Sequence, residues 1–168
     1  MENLYKELRS FFANDIDVND LFDSEAIIWI DWREDDEDVV NYFNDMMDEP
    51  IDIKTVSNGK AYGDDIVLKN GDKELQIPYG DEQDRDVTIK YFNDFVKPDY
   101  EVRWFAESLG NDTLGFTVLS GAEWANLEDE FGADTVRYYF EPINLESNMF
   151  NLDMDEVSAL LELRENNR

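Results

Sequence analysis

The sequence predicts a single α+β domain, a largely antiparallel sheet with helices packed on it. Its 168 residues are 42% hydrophobic and 14% aromatic, which is enough apolar surface for one core. Segments typical of hairpins are interspersed with segments typical of amphipathic helices. No repeat and no linker divides the chain, so we expect residues 1–168 to form one domain.

The clearest local signal is the region Asp99–Gly132, which predicts strand, loop, strand and helix. Two segments of apolar and polar alternation, separated by a loop, are typical of adjacent strands. Ser120 and Glu123 form a Ser-x-x-Glu capping box that begins a helix, and Gly132 suits a left-handed cap at its end. We expect Trp124 to pack against the hairpin.

The N-terminal third predicts two helices around one strand. An apolar stripe marks a helix over Glu2–Ala13, and an acidic loop is expected over Asn14–Glu25. The short apolar run Ala26–Ile30 is typical of a central strand covered on both faces. A second helix follows the acidic residues 31–38, with a buried side formed by Val39, Val40, Phe43, Met46 and Met47.

The middle of the chain predicts three short strands. Ile51–Val56 is the first, and Asn70-Gly71 is a type I′ hairpin signal between Ile66–Lys69 and Glu74–Ile77. Pro78 cannot donate a hydrogen bond to a neighbouring strand, so we place this last strand at a sheet edge.

Two further helices and a strand complete the prediction. Asp84 is expected to cap a helix over Arg85–Val96. The run Val136–Phe140 predicts a strand, followed by an irregular stretch to Leu152. Asp153 is expected to cap a last helix whose buried residues are Val157, Leu160 and Leu161.

The absence of histidine and cysteine excludes many functions. Without histidine there is no Ser-His-Asp triad, and without either residue there is no zinc site of the usual kind. No phosphate-binding glycine loop is present, so no nucleotide cofactor is predicted. No apolar run reaches the roughly 18 residues of a membrane span. We expect a soluble, cytoplasmic protein without cofactors.

The charge is strongly negative and unevenly distributed. The chain has 42 acids and 14 bases, a net charge of −28. Residues 54–103 are nearly balanced, with 11 acids and 8 bases, whereas residues 1–53 and 104–168 carry the excess. A negative face repels nucleic acid and membrane and attracts a basic protein. Acidity carried for solubility, or as a halophilic adaptation, is the alternative, although Asn outnumbers Ala here by 15 to 8.

The acidic segment from Asp31 to Asp48 is the predicted partner-binding surface. Acids in the first turn of a helix are stabilised by the helix dipole, but this segment holds more of them than that effect explains. Helical geometry should turn Asp38, Asn41, Asp45 and Asp48 outward, next to the acids that precede the helix. The predicted binding residues are Asp31, Trp32, Glu34, Asp35, Asp36, Glu37, Asp38, Asp45 and Asp48.

The acidic residues suggest three further carboxylate sites. A calcium loop starting at Asp31 fails, because the position that requires a bidentate Glu holds Tyr42. A weak divalent-cation site among Asp35, Asp36 and Asp38 stays open as an alternative, but no metal is predicted. A catalytic pair of Glu107 and Asp112 would make the protein a carboxylate-dependent enzyme, yet the same residues suit an ordinary turn.

Part of the chain resembles a known domain. The runs Asp99-Tyr-Glu-Val-Arg-Trp, Asn111-Asp-Thr-Leu-Gly-Phe and Trp124-Ala-Asn-Leu-Glu-Asp-Glu-Phe-Gly are similar to a recurrent domain of uncharacterised bacterial proteins, over roughly residues 65–142. In general type, the small acidic chain resembles bacterial immunity proteins, including those of contact-dependent inhibition systems. This second resemblance implies no particular site residue.

The sequence therefore predicts a protein-binding inhibitor and no enzyme. An immunity protein that neutralises a cationic, nuclease-type bacterial toxin fits best, because carboxylates can occupy the basic surface that a nuclease uses to attract phosphates. A DNA mimic of the anti-CRISPR type and a carboxylate-dependent enzyme are the alternatives. The expected partner is a basic protein, with no nucleic acid and no membrane.

Overall fold

The computed structural model describes residues 2–31, 33–57, 59, 64–79, 84–109, 111 and 113–166. Helices and strands are numbered separately in chain order. The helices are α1 Glu2–Phe12, α2 Val18–Phe22, α3 Asp36–Met46, α4 Arg85–Val96, α5 Gly121–Phe131, α6 Ala133–Tyr139 and α7 Met154–Asn166. The strands are β1 Ile28–Asp31, β2 Asp52–Ser57, β3 Asp64–Asn70, β4 Lys73–Gln76, β5 Tyr100–Phe105, β6 Thr113–Ser120 and β7 Phe140–Pro142.

The strands form two antiparallel sheets, one of four strands in the order β1-β6-β5-β7 and one of three in the order β2-β3-β4. Helices cover both faces of the larger sheet. The predicted α+β class, with a largely antiparallel sheet and packed helices, is confirmed.

Two apolar clusters lie on opposite faces of the four-stranded sheet. On the first face, Trp104 and Phe116 pack with α3, α4 and the smaller sheet. On the second face, Phe105 and Leu119 pack with α1, α2, α5 and α6. Both faces of β5 are therefore buried, and even the charged side chain of Arg103 is only 5% exposed.

The hairpin and helix of residues 99–132 are confirmed. The Ser120 hydroxyl accepts the Glu123 N–H at 3.1 Å, and the Glu123 carboxylate accepts the Ser120 N–H at 3.0 Å, which completes the predicted capping box. Trp124 is 1% exposed. Gly132, with φ 94° and ψ 134°, has positive φ but lies outside the left-handed helical region, and it links α5 directly to α6.

Two strand predictions are wrong. Residues 136–139 belong to α6, and of the predicted strand only Phe140 is extended, as the first residue of β7. Val136 and Tyr139, three residues apart on one face of the helix, both pack in the second core cluster. β1 is an edge strand rather than a central one. Both of its faces are nevertheless covered, because Ile30 packs in the first cluster and Ile27, the residue just before β1 begins, packs in the second.

Three smaller features also differ from the prediction. The expected loop 14–25 contains α2, which begins at a capping box between Asp17 and Asp20. The turn between β3 and β4 has two central residues, Gly71 and Asp72, and only Gly71 has a positive φ, 61°. This pattern is that of a type II′ turn rather than the predicted type I′ turn. Leu160 and Leu161 of α7, expected inside, are 37% and 41% exposed.

Candidate interaction surface

The acidic segment is positioned by the buried side of α3. Val39, Val40 and Phe43 are fully buried against the first core cluster, so the opposite side of the helix faces solvent. Asp35 occupies the N-cap position, but its side chain makes no capping hydrogen bond and is exposed. The helix dipole still favours acids at this end.

Arg85, the first residue of α4, holds the start of this segment in place. Its Nε donates to Asp36 Oδ1 at 2.8 Å, and its two terminal nitrogens donate to the backbone carbonyls of Asp31 and Glu34. The side chains of Asp36 and Arg85 are only 7% and 10% exposed. Asp36 is therefore part of a buried ion pair, and its predicted place on the outward acidic surface is wrong.

The remaining acids of the segment lie at the surface. Asp35, Glu37, Asp38, Asp45 and Asp48 are exposed. No ion pair among the described residues includes any of the first four. Residues 33–49 contain eight acids against one base, so this surface is strongly negative.

Two predicted residues have local partners. Asp31, at the end of β1, accepts hydrogen bonds from the backbone and guanidinium of Arg33, and the side-chain bond to Arg33 lowers the pKa of the Asp31 carboxyl below its usual value. Glu34 is half-buried and accepts the Tyr42 hydroxyl at 3.2 Å. Trp32, the predicted aromatic anchor, lies outside the described residues.

The negative charge of these acids affects the pKa of Tyr42. It is 39% exposed on α3, and the negative charge of Glu34 raises the pKa of its phenol above the usual value, with smaller contributions from burial and from Asp38. An exposed tyrosine beside these carboxylates makes the surface both aromatic and anionic.

The two acidic parts of the chain pair within the larger sheet, through β1 and β6, and also contact each other on both of its faces. On the second face of the sheet, Arg9 of α1 forms a bidentate pair with Glu130 of α5 at 2.8 Å. On the first face, Arg85 lies 5.4 Å from the ring centre of Phe150, which connects the segment before α3 to the segment before α7. The predicted surface on α3 therefore faces away from the side where α1 meets α5.

Sequence reasoning predicted the Asp84 cap of α4 but missed the other contacts that organise this region, those of Arg85 and Asp86 and the bond from Asn151 to Asp84. Asp84 caps α4 and also accepts the Asn151 side-chain amide. Asp86 is fully buried and accepts the backbone N–H groups of residues 149–151 at 2.8–3.1 Å. One signal was available: an arginine at the first position of a helix opposes the helix dipole, so it indicates an acidic partner elsewhere.

No metal centre is assembled among the described residues. No group of three or more carboxylates there could hold a metal ion, and the carboxylate of Asp36 binds Arg85. Glu107 accepts a hydrogen bond from Arg164 at 2.7 Å, while Asp112, its suggested catalytic partner, lies outside the described residues.

Comparisons with known proteins add no relative: no family model, no curated protein and no solved structure matches this chain. Within the residues described, none of the helices combines the length and the apolar character needed to cross a bilayer. Fold and surface charge are therefore the basis for a functional proposal.

Proposed function

We propose that this protein is an immunity protein, a protein-binding inhibitor that neutralises a cationic, nuclease-type bacterial toxin. The observation that supports this most is the exposed acidic surface of α3, where Asp35, Glu37, Asp38 and Asp45 are exposed without an ion pair among the described residues. We call these four residues the α3 acidic surface.

The physical argument concerns repulsion within that surface. Like charges three or four positions apart on a helix disfavour each other, and Asp38 lies three positions after Asp35, the N-cap residue of α3. A cluster of lysine and arginine side chains on a partner would relieve this repulsion on binding. Complementary charge also raises the association rate, which matters for an inhibitor that must act before a toxin does.

A nuclease supplies the required chemistry. Its active surface attracts phosphates with basic side chains, and carboxylates presented by an inhibitor bind the same side chains. Tyr42 adds an exposed aromatic ring beside the acids, and tyrosine is enriched at the energetically important centres of protein interfaces. The absence of histidine and cysteine fits a binding role better than catalysis.

The test is neutralisation in cells. Each gene adjacent to this one is expressed in a laboratory bacterium with and without the protein, and growth and chromosomal integrity are followed. We expect one neighbour to encode a basic nuclease that kills alone and is harmless when the two are expressed together. If the protein rescued growth from none of the neighbouring gene products, the proposal would be contradicted. Turnover of a substrate by the purified protein alone would also contradict it.

A matched pair of variants locates the binding surface. Asp35→Asn, Glu37→Gln and Asp38→Asn together remove three charges from the α3 acidic surface. Asp23→Asn, Glu25→Gln and Asp129→Asn remove the same charge from exposed positions near the second face of the sheet. We expect the first variant to lose rescue and the second to retain it. Inhibition of a non-nuclease DNA-binding protein instead would indicate the DNA-mimic alternative.

A further inference from the structure

The C-terminal helix α7 carries several apolar side chains that are exposed. Leu160, Leu161 and Leu163 are 37%, 41% and 57% exposed, and Met154 is 81% exposed. Of the described side chains of α7, only Val157 and Arg164 are even half-buried. A helix in a globular protein is normally held by burying an apolar stripe, so α7 is unusual in leaving most of its leucines in solvent.

The helix is nevertheless held in a defined position. Arg164 donates to the carbonyl of Tyr138 at 2.7 Å and to the carboxylate of Glu107 at 2.7 Å, and its guanidinium lies 4.1 Å from the Tyr138 ring centre. At the other end, Asp86 fixes residues 149–151 just before the helix. The exposed leucines therefore belong to an ordered surface.

A groove runs beside these leucines. Leu160 and Leu163 form one wall, and Trp104, Leu109 and Tyr138 contribute to the rest, around a volume of about 140 Å³. Glu141 also lines this groove; burial raises the pKa of its carboxyl, opposed by the charge of Arg164. An apolar side chain from a partner would fit between α7 and the end of β5.

The charges around the groove select its occupant. Two bases line the groove, Arg137 and Arg164, and each is paired with a glutamate, Glu128 and Glu107 respectively. The exposed charges of α7 beside the groove are acids: Asp155, Glu156, Glu162 and Glu165. A second copy of this chain would bring two such acidic helices together, and an anionic membrane would also be repelled. A segment with leucine-like side chains on one face and lysine or arginine beside them complements both features.

We propose that α7 and its groove are a docking site for a basic amphipathic helix of the partner protein. This inference rests on the proposed function for the existence of a basic partner, but it adds apolar anchoring to the electrostatic attraction of the α3 acidic surface. The two surfaces affect different rate constants: the acids on α3 increase the association rate, and the leucines on α7 decrease the dissociation rate.

The test uses two labelled peptides of identical composition. One is an 18-residue helix with leucines on one face and lysines on the other, and the second is a scrambled version without an apolar face. Binding is followed by fluorescence anisotropy at about 150 mM salt, where screening weakens purely electrostatic binding. We expect the amphipathic peptide to bind at least tenfold more tightly than the scrambled one.

Variants assign that difference to α7. Leu160→Ser with Leu161→Ser should weaken binding of the amphipathic peptide at least tenfold and leave the scrambled peptide unaffected. Val56→Ser is the matched control, because Val56 is a similarly exposed apolar residue, at 44%, on β2. It should change binding less than twofold. Circular dichroism confirms folding, and Leu163→Ser provides a second variant in the same surface.

The outcomes separate this inference from the proposed function. Equal binding of both peptides, insensitive to the leucine variants, would overturn the docking site and leave the acidic inhibitor intact. A dimer of the protein alone that dissociates in the leucine variant would also overturn it, because a second copy would then be the occupant. Failure of neutralisation in cells, with the peptide result retained, would count against the immunity function alone.

Discussion

Neutralising Asp36 should destabilise the protein, the opposite of what a surface acid in a crowded negative cluster would do. The carboxylate receives the Arg85 Nε hydrogen bond at 2.8 Å, and the two side chains are only 7% and 10% exposed. Breaking a buried pair by removing one charge leaves the other uncompensated and costs about 3 to 5 kcal/mol. Asp36→Asn should therefore lose about that much unfolding free energy.

The assay is urea denaturation, followed by tryptophan fluorescence, with Asp38→Asn as the control. Asp38 lies two residues further on, is exposed and has no ion pair among the described residues, so its variant should stay within about 0.5 kcal/mol of the parent. Adding Arg85→Met to Asp36→Asn should restore part of the loss, because it removes the stranded charge. A midpoint for Asp36→Asn at or above that of the parent would refute the buried pair.

Three further predictions follow from other contacts. Trp124→Ala should cost about 3 to 5 kcal/mol in urea, because it empties a fully packed site, whereas Ser120→Ala should cost about 1 kcal/mol by losing one cap; an unchanged midpoint for the first would contradict the packing. Asp86→Ala should speed amide hydrogen exchange at residues 149–151 far more than in α5, since it removes their three acceptor bonds, and unchanged exchange there would disprove that role. Burial opposes ionisation of Glu128, but hydrogen bonds and charge from Arg137 and Arg103 outweigh burial and lower the pKa of its carboxyl. The stability that this ionised carboxylate contributes is complete above the unfolded-state pKa, about 4.3, and is lost as the pH falls through the lower folded-state pKa. Glu128→Gln should thus destabilise at pH 7 and matter less near pH 3, and an equal effect at both pH values would contradict this.

Local signals predicted much of the fold. The capping box at Ser120 and the Asp84 cap act through residues two or three positions away, so the sequence contains both partners. The strand predicted at residues 136–140 failed for the opposite reason. Its aromatic and β-branched composition favours a strand, but Val136 and Tyr139 pack in the second core cluster from one side of α6, which favours the helix.

The candidate surface was predicted only in part. Helical periodicity correctly turned Asp38 and Asp45 outward, because the buried side of α3 was readable from its apolar residues. The burial of Asp36 depends on Arg85, 49 positions along the chain, and no local pattern connects the two. The exposed leucines of α7 were expected inside because apolar spacing alone does not show whether a surface is available to cover them.

The central claim is that the α3 acidic surface recruits a basic partner through its charge. The most direct measurement is the association rate of the neutralised toxin with the parent protein and with the Asp35→Asn, Glu37→Gln, Asp38→Asn variant, from about 50 to 500 mM salt. We predict a steep fall for the parent, as the Debye length shrinks, and a slower, flatter curve for the variant, with affinity reduced by more than tenfold at the lowest salt concentration. A rate that is indifferent to salt, or equal in the two proteins, would contradict the claim.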